Sequence, residues 1–323
     1  MLDFETQKKR AMSAGDVILL GYGGSHAYGT NVETSDSDLR GIYRNPIDEI
    51  VGIAPDSEQF IDEEADTTVY SLKKAMKLLC SCNPNTIEIL GLRPQDYFVA
   101  TDEGRLLLGN ADAFLSKKAA RAFGGYAKSQ LNRLVNRSGR GKSEIAENER
   151  RSIEKVLDSL KYRYRGVDRD SFSVRTEGKE VIVTMGFCDV PIETMMNVMN
   201  EIAVVHKDYM KSSRNDKAAV HEKLNKHSMH LVRLYMMALD ILLRKEIRTY
   251  REGSDHDLLM EIRKGRYLEE DGLTPTKEFQ ELIAEYEARF EEAARITTLP
   301  DEPDYGRINE IVKEINMRAL RNV

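Results

Sequence analysis

Residues 16–43 read DVILLGYGGSHAYGTNVETSDSDLRGIY, and the order of features in this stretch decides the fold. Asp16–Leu20 is a short apolar run closed by Gly23-Gly24, which predicts a buried strand that ends in a tight turn. A second strand is predicted over Asp38–Tyr43. A glycine turn that opens a helix offers backbone N–H groups to phosphate oxygens, and Ser25 adds a hydroxyl.

Two aspartates, Asp36 and Asp38, stand at the head of the second predicted strand. Residues two apart in a strand point to the same side, so these two would share a face with Arg40. Neighbouring carboxylates repel unless a cation lies between them, and Mg²⁺ prefers such oxygen ligands. Asp66, at the head of a third predicted strand over Asp66–Tyr70, is the candidate that would complete a two-metal site.

Several alternatives stay open at this point. On spacing alone, Asp36-Ser37-Asp38 fits a turn as well as a metal site, because serine and aspartate are common turn residues. Three other acidic residues compete with Asp66, although only Asp66 adjoins a convincing strand: Asp62, Glu63 and Glu64. Arg40 would either neutralise a phosphate or form a salt bridge with one of the aspartates.

Further residues are candidates for binding a nucleotide. Tyr28 and Thr30 lie between the glycine turn and the aspartates, where they would touch sugar or base, or simply pack or cap. Lys226, His230 and Arg233 fall at i, i+4 and i+7 of one predicted helix, which stacks them in a stripe. A cationic stripe would bind a triphosphate or a nucleic-acid backbone, and His230 could relay a proton. The alternative is a row of boundary residues paired with acidic neighbours.

The remaining pattern predicts an α+β protein. We place a catalytic core in residues 1–100 and a mostly helical substrate- or acceptor-binding region in residues 101–323. One interruption of the helical pattern predicts a β-hairpin near residues 172–184, where two β-branched stretches flank a glycine turn.

The charge is strongly segregated along the chain. Asn31–Asp66 holds 11 acidic and 2 basic residues, and Lys117–Lys179 holds 17 basic and 8 acidic residues. Such segregation suits a protein that holds cations and also engages phosphates, although two solvated faces would look the same. The 3 cysteines are too few for a disulfide framework. No apolar run is long enough for a membrane span and no secretory signal stands out, so we expect a cytoplasmic protein.

The segments Gly24–Thr30 and Ser35–Gly41 resemble the DNA polymerase beta superfamily of nucleotidyltransferases. The signature of that superfamily is a strand, Gly-Ser, a spacer and then Asp-x-Asp on the next strand. The chain is similar to one branch in particular, the predicted nucleotidyltransferases related to the RNA-ligase-associated polymerase-beta-like proteins. Later stretches also resemble this branch, namely Asp66–Leu72, Asn83–Glu88, Tyr126–Gln130, Lys226–Arg233, Leu299-Pro300 and Pro303-Asp304.

The resemblance implies a nucleotidyltransferase fold, which is a small mixed sheet flanked by helices, with a mostly helical C-terminal region. It implies that Asp36, Asp38 and Asp66 bind two Mg²⁺ ions, with Mn²⁺ as a substitute. Gly24 and Ser25 would then hold the triphosphate.

We therefore expect transfer of a nucleoside monophosphate from a nucleoside triphosphate, with ATP first, to an acceptor hydroxyl. An RNA end is the favoured acceptor, because the basic stretch would track a phosphate backbone. A small molecule or a protein remains an alternative acceptor, and a non-catalytic nucleotide- or RNA-binding regulator is an alternative function. The sequence does not predict an oligomeric state.

Overall fold

The computed structural model describes residues 3–137, 172–177, 180–185, 217–270 and 275–321, with a few further positions between 150 and 206. Packing divides the chain into two compact units. The first unit comprises residues 1–130, 228–266 and 277–323, and the second comprises residues 131–227 and 267–276. The expected boundary between two regions near residue 100 stays a prediction.

The N-terminal part of the first unit is built from short strands and helices. Local sequence sets several of the helix ends. Asp3 caps the first helix by accepting from the N–H of Thr6 at 2.9 Å, and Ser71 caps a later helix through the N–H of Lys74 at 3.3 Å. In chain order the elements are α1 (Phe4–Met12), β1 (Asp16–Tyr22), α2 (Gly24–Tyr28), β2 (Leu39–Arg44), α3 (Ile47–Ile50), β3 (Gln59–Asp62), β4 (Thr67–Ser71), α4 (Leu72–Cys80), α5 (Pro84–Ile87), β5 (Tyr97–Ala100) and α6 (Asp102–Leu108).

These five strands form one sheet in the order β3-β4-β2-β1-β5. The β2–β4 pair is parallel, whereas the β1–β2, β1–β5 and β3–β4 pairs are antiparallel. The sheet is therefore mixed, which confirms the predicted fold class. In the parallel pair Leu39 lies opposite Thr67. This register brings the two preceding residues, Asp38 and Asp66, to the same edge of the sheet.

The strand boundaries differ from the predicted ones near the aspartates. β2 begins at Leu39, so Asp36 and Asp38 lie in the loop before the strand. The argument that they share a strand face with Arg40 is therefore wrong. The third predicted strand is the fourth in the structure, because β3 at the sheet edge was not predicted. The four residues of β3 are Gln-Phe-Ile-Asp, so its two apolar residues are adjacent and lack the alternation that marks a half-buried strand.

A hydrophobic core lies between α1 and one face of the sheet. Ala11 of α1 packs with residues of β1, β2 and β4, including the fully buried Leu20, Leu39 and Val69. Complete burial of each of these larger side chains contributes roughly 1.5–3 kcal/mol. The core fixes α1 against the edge of the sheet where Asp38 and Asp66 meet.

The C-terminal part of the chain is mostly helical, as predicted. After α7 (Lys118–Arg137), the described elements are α8 (Lys217–Leu239), a π-helical turn (Asp240–Arg244), α9 (Gly253–Arg263), α10 (Lys277–Ile296) and α11 (Tyr305–Arg321). All of α9 and the segment before it belong to the first unit, together with all of α10 and α11. Sequence positions far beyond the sheet therefore contribute to the same compact unit as the aspartates.

The second unit contains the predicted hairpin. Its strands, β6 (Phe172–Glu177) and β7 (Glu180–Met185), pair in antiparallel fashion with Val174 opposite Val183. Much of the basic stretch Lys117–Lys179 lies outside the described residues. Within the described part of the chain, none of the helices combines the length and the apolar character that crossing a bilayer requires.

Candidate active site

The candidate site centres on the carboxyl groups of Asp38 and Asp66, which are hydrogen-bonded to each other. Burial raises the pKa of Asp38 to about 7, and the hydrogen bond and negative charge of Asp66 add to the shift. The hydrogen bond with Asp38 lowers the pKa of Asp66. Burial and mutual repulsion therefore make the pair harder to ionise fully than two separate carboxyl groups.

Asp66 reaches Asp38 through an unusual backbone conformation. Its φ of 40° lies in the left-handed region, which aspartate tolerates better than most residues with a side chain. Arg40 stabilises this conformation, because its guanidinium donates to the carbonyl of Asp66 at 2.8 Å and contacts Oδ1 of Asp66 at 3.3 Å. Of the two roles expected for Arg40, the structure therefore contains the salt bridge.

The predicted glycine turn lies directly against this pair. Gly23 donates its N–H to the carbonyl of Asp38 at 2.8 Å, and α2 begins at Gly24 with a φ of 53°. A Cβ atom on Gly24 would lie 1.5 Å from Oδ2 of Asp38. Only glycine fits between the turn and the carboxyl group. The structure thus brings Gly24 and Ser25, proposed to hold phosphate, beside an aspartate proposed to hold metal.

Gln7 joins the two carboxylate-bearing segments, and sequence reasoning did not identify it. The side chain is 4% exposed. Its Nε2 donates to the carbonyl of Ser37 and to the carbonyl of Ala65, both at 2.5 Å. These carbonyls belong to the residues immediately before Asp38 and Asp66. A single glutamine on α1 therefore ties together the backbones that carry the pair.

Asp36 lies apart from the Asp38–Asp66 pair. It is exposed and lines a pocket of about 430 Å³ together with Phe4, Gln7, Ser37, Glu63, Glu64, Ala65 and Asp66. In the part of the chain that the structure describes, no group of three or more His, Cys, Asp or Glu side chains is arranged to hold a metal ion. Two of the three predicted ligands therefore meet, and Asp36 shares a pocket with one of them.

The residues that competed with Asp66 have other partners or positions. Asp62 pairs with Arg10 at 3.2 Å, and Glu64 pairs with the same guanidinium at 2.7 Å. Glu63 lies in the lining of the pocket without a place in the hydrogen-bonded pair. Of the four acidic residues weighed for the third position, Asp66 is the one that contacts Asp38.

Tyr28 and Thr30 lie in the interior. Thr30 is fully buried, and the ring of Tyr28 is 3% exposed. The Tyr28 hydroxyl donates to Oε2 of Glu88 at 2.9 Å, and the Arg233 guanidinium stacks on the Tyr28 ring at 3.7 Å. Burial raises the pKa of Glu88, while the charge of Arg233 opposes the shift. This environment favours packing over contact with sugar or base for Tyr28 and Thr30.

The predicted cationic stripe on α8 is divided between the units. His230 and Arg233 belong to the first unit, where Nδ1 of His230 lies 2.9 Å from a guanidinium nitrogen of Arg233. Lys226 is exposed and belongs to the second unit. Arg233 is 9% exposed and stacks on Tyr28, so its surroundings resemble a buried ion cluster more than an open binding surface. The nucleotide-binding role of all three stays a prediction.

A mixed sheet in which two aspartates immediately precede parallel strands and lie beside a glycine turn is consistent with a nucleotidyltransferase-like fold. Residues 2–181 match the model of a family described as RlaP, RNA repair pathway DNA polymerase beta family. The match covers more than half of the chain, so this chain belongs to that family. The resemblance predicted from the sequence is confirmed, and membership suggests nucleotidyltransferase activity. Comparisons with curated proteins and with solved structures give no match.

Proposed function

We propose that this protein transfers a nucleoside monophosphate from a nucleoside triphosphate, ATP in the first place, to an acceptor hydroxyl and releases pyrophosphate. The observation that carries the proposal is the Asp38–Asp66 pair packed against Gly24. Partly buried carboxyl groups in contact with each other are costly unless a proton or a cation compensates them. A carboxylate pair of this kind is suited to a site that binds a cation next to phosphate groups.

The donor set fits a divalent cation. Asp38 and Asp66 present oxygen ligands from adjacent strand edges, and a bound cation would compensate the repulsion between the two carboxylates. We assign Asp38 and Asp66, completed by Asp36, to Mg²⁺, with two ions in total and Mn²⁺ as a substitute. Bound metal would lower the pKa of the attacking hydroxyl and stabilise negative charge on the phosphates.

The groups of this chain that would hold the triphosphate lie beside the carboxyl pair. Gly24 and Ser25 present backbone N–H groups and a hydroxyl at the start of α2. Arg40 lies next to the same turn, since a Cβ on Gly23 would lie 2.8 Å from the Arg40 side chain. In this proposal the Gly24-Ser25 turn orients the triphosphate and Arg40 supplies positive charge. Tyr28 acts through packing beneath the turn.

An RNA end is the acceptor that we favour. The stretch Lys117–Lys179 carries 17 basic and 8 acidic residues, a charge that suits a phosphate backbone. The family description also names an RNA repair pathway. Lys226 belongs to the second unit, as does most of the basic stretch. We assign Lys226, together with His230 and Arg233, to binding of this acceptor or of the triphosphate.

The test is incubation of purified protein with labelled ATP, Mg²⁺ and pooled tRNA, followed by separation of RNA, protein and small-molecule fractions. We expect label in the RNA and a loss of at least 100-fold with Asp38→Asn, which keeps the shape of the side chain but removes its charge. Asp48→Asn, at an exposed position on α3, is the matched control and is expected to label RNA like the wild type.

Label in the protein or small-molecule fraction would overturn the RNA acceptor and keep nucleotidyl transfer. Equal labelling by the wild type and Asp38→Asn would overturn the catalytic role of the pair. A parallel salt titration of RNA binding should give a clear negative slope of log affinity against log salt, and a slope near zero contradicts contacts to phosphate.

A further inference from the structure

The loop that carries Asp36 and Asp38 is held by a distant part of the chain. We call residues 30–38 the carboxylate loop and residues 250–263 the anchoring segment. The anchoring segment comprises the end of a connection and all of α9, and it lies outside the residues that match the family model. Both belong to the first unit, so their contacts are internal to one compact body.

Three successive backbone carbonyls that lead into the carboxylate loop are bonded to the anchoring segment. The N–H of Arg251 donates to the carbonyl of Tyr28 at 3.2 Å. Nε2 of His256 lies 3.1 Å from the carbonyl of Gly29. The guanidinium of Arg263 then donates to the carbonyl of Thr30. Three successive carbonyls therefore find partners on the anchoring segment.

Arg263 makes the contact that lies nearest to the aspartates. Its second guanidinium nitrogen donates to Oγ of Ser35 at 2.9 Å. The same hydroxyl accepts from the N–H of Val32 at 2.9 Å, which closes a turn within the loop. Ser35 immediately precedes Asp36. One side chain thus spans the loop from Thr30 to Ser35 and defines its path into Asp36.

The anchoring segment is itself firmly fixed. Arg251 is 1% exposed, and it pairs with the buried Asp240 at 2.7 Å. The ring of Tyr250 fills the space beside Gly29, where a Cβ atom would lie 2.5 Å from a ring carbon. The guanidinium of Arg93 stacks on the Tyr250 ring at 3.3 Å. Arg263 therefore extends from a rigid support, as an effective positioning group must.

We infer that Arg263 is a positioning residue for the candidate metal centre: it fixes the path of the carboxylate loop from Thr30 through Ser35, the residue immediately before Asp36. The inference rests on the proposed function, because it assigns a task to a residue of the same site. The inference also means that α9, which lies outside the residues matched by the family model, contributes to the function of the candidate site.

The experiment measures binding of Mn²⁺ to the full chain by electron paramagnetic resonance, with no nucleotide present. The proteins are the wild type, Asp38→Asn, Arg263→Ala, Arg263→Lys and Lys264→Ala. Outer groups that orient metal ligands typically change metal affinity by about 10–100-fold when they are removed. We expect roughly tenfold weaker Mn²⁺ binding for Arg263→Ala and partial recovery for Arg263→Lys, which can reach one of the two acceptors.

Lys264→Ala is the matched control, because it removes an exposed cation from the next position along the same segment. It should bind Mn²⁺ within twofold of the wild type. Circular dichroism on each protein gives the folded fraction, so a loss of folding is separated from a loss of affinity. A merely structural role for Arg263 would lower the melting temperature and leave the dissociation constant of the folded protein unchanged.

Ser35→Ala provides a second, milder variant at a partly exposed position. It removes one of the two acceptors of Arg263, so we expect a smaller loss of Mn²⁺ affinity. In the double variant with Arg263→Ala, the loss should be less than the product of the two single losses, since the residues act through one contact. Independent, multiplicative losses would contradict the inference.

The possible failures are distinguishable. If the wild type binds Mn²⁺, Asp38→Asn does not and Arg263→Ala binds like the wild type, the positioning role is wrong while the metal site stands. If the wild type does not bind Mn²⁺, the proposed metal chemistry fails and the positioning role fails with it. Deuterium uptake in residues 30–38 then still shows whether Arg263 holds the loop.

Discussion

Replacement of Gln7 by methionine should both destabilise the first unit and separate the two aspartates. Methionine has a similar length and fills most of the same volume, so the change removes hydrogen-bond donors without opening a large cavity. Nε2 of Gln7 donates to the carbonyls of Ser37 and Ala65. The Ala65 carbonyl also accepts from the hydroxyl of Thr67 at 3.0 Å, so it keeps a donor in the variant.

The magnitude follows from these partners. Loss of the bond to Ala65, whose carbonyl stays satisfied, costs about 0.5–1.5 kcal/mol, and removal of the donor to Ser37 costs about 1–3 kcal/mol. We therefore expect the free energy of unfolding to fall by about 1.5–4.5 kcal/mol in Gln7→Met. The backbones of Asp38 and Asp66 are no longer tied together, so Mn²⁺ affinity should fall as well.

The assay is urea-induced unfolding followed by circular dichroism, in which a lower midpoint at unchanged slope reports lost stability. Gln95→Met is the control, because it makes the same substitution at an exposed glutamine and should stay within about 0.5 kcal/mol of the wild type. A change below about 0.5 kcal/mol in Gln7→Met, with unchanged Mn²⁺ affinity, would refute the reasoning that Gln7 links the two segments.

Three further predictions concern other parts of the first unit. The pKa of Asp38 is about 7 in the folded chain, against an ordinary value of 3.8, so between these values the native state binds more protons than the unfolded state. Without metal, the free energy of unfolding should therefore fall as pH rises from about 4 to 7. Urea unfolding in a chelating buffer measures this, and the pH profile of Asp38→Asn should be flatter. Gly24→Ala should abolish nucleotidyl transfer, since the new Cβ would overlap Oδ2 of Asp38 and Gly24 has a φ of 53°. A Cβ on Gly125 of α7 meets open space among the described residues. Gly125→Ala should therefore stabilise the protein by about 0.5–1 kcal/mol in thermal unfolding. Asp240→Ala removes the nearer ion-pair partner of the buried Arg251 and leaves only Asp255 at 3.5 Å among its described carboxylate partners. The change should lower stability in urea unfolding toward the lower end of about 3–5 kcal/mol, and an unchanged midpoint contradicts this.

Local sequence patterns correctly predicted the elements whose structure depends mainly on neighbouring residues. The apolar run before Gly23-Gly24 forms β1, the glycine turn opens a helix, and the C-terminal half is helical. The nearness of Asp66 to Asp38 was also predicted, because adjacent strand edges were expected to meet. The strand assignment of Asp36 and Asp38 was wrong, since the chain enters β2 only at Leu39.

Long-range partners were beyond the reach of sequence patterns. Gln7 is one polar residue in an amphipathic helix, and nothing in its spacing indicates that Ser37 and Ala65 lie within reach. Arg263 is one of many charged residues on helical segments, and its bond to Ser35 spans 228 positions. Tyr28 was considered for a nucleotide contact because of its place in the chain, while its burial depends on Glu88 and Arg233.

The distance along the chain between Ser35 and Arg263 also has a consequence for biosynthesis. On the ribosome, the carboxylate loop emerges 228 residues before the arginine that anchors it. Because translation proceeds at about 5–20 residues per second, the loop waits on the order of ten seconds or more for its partner. Nascent chains that stop before α9 carry both aspartates without this support, so a polymerase-like centre would be assembled only late in synthesis.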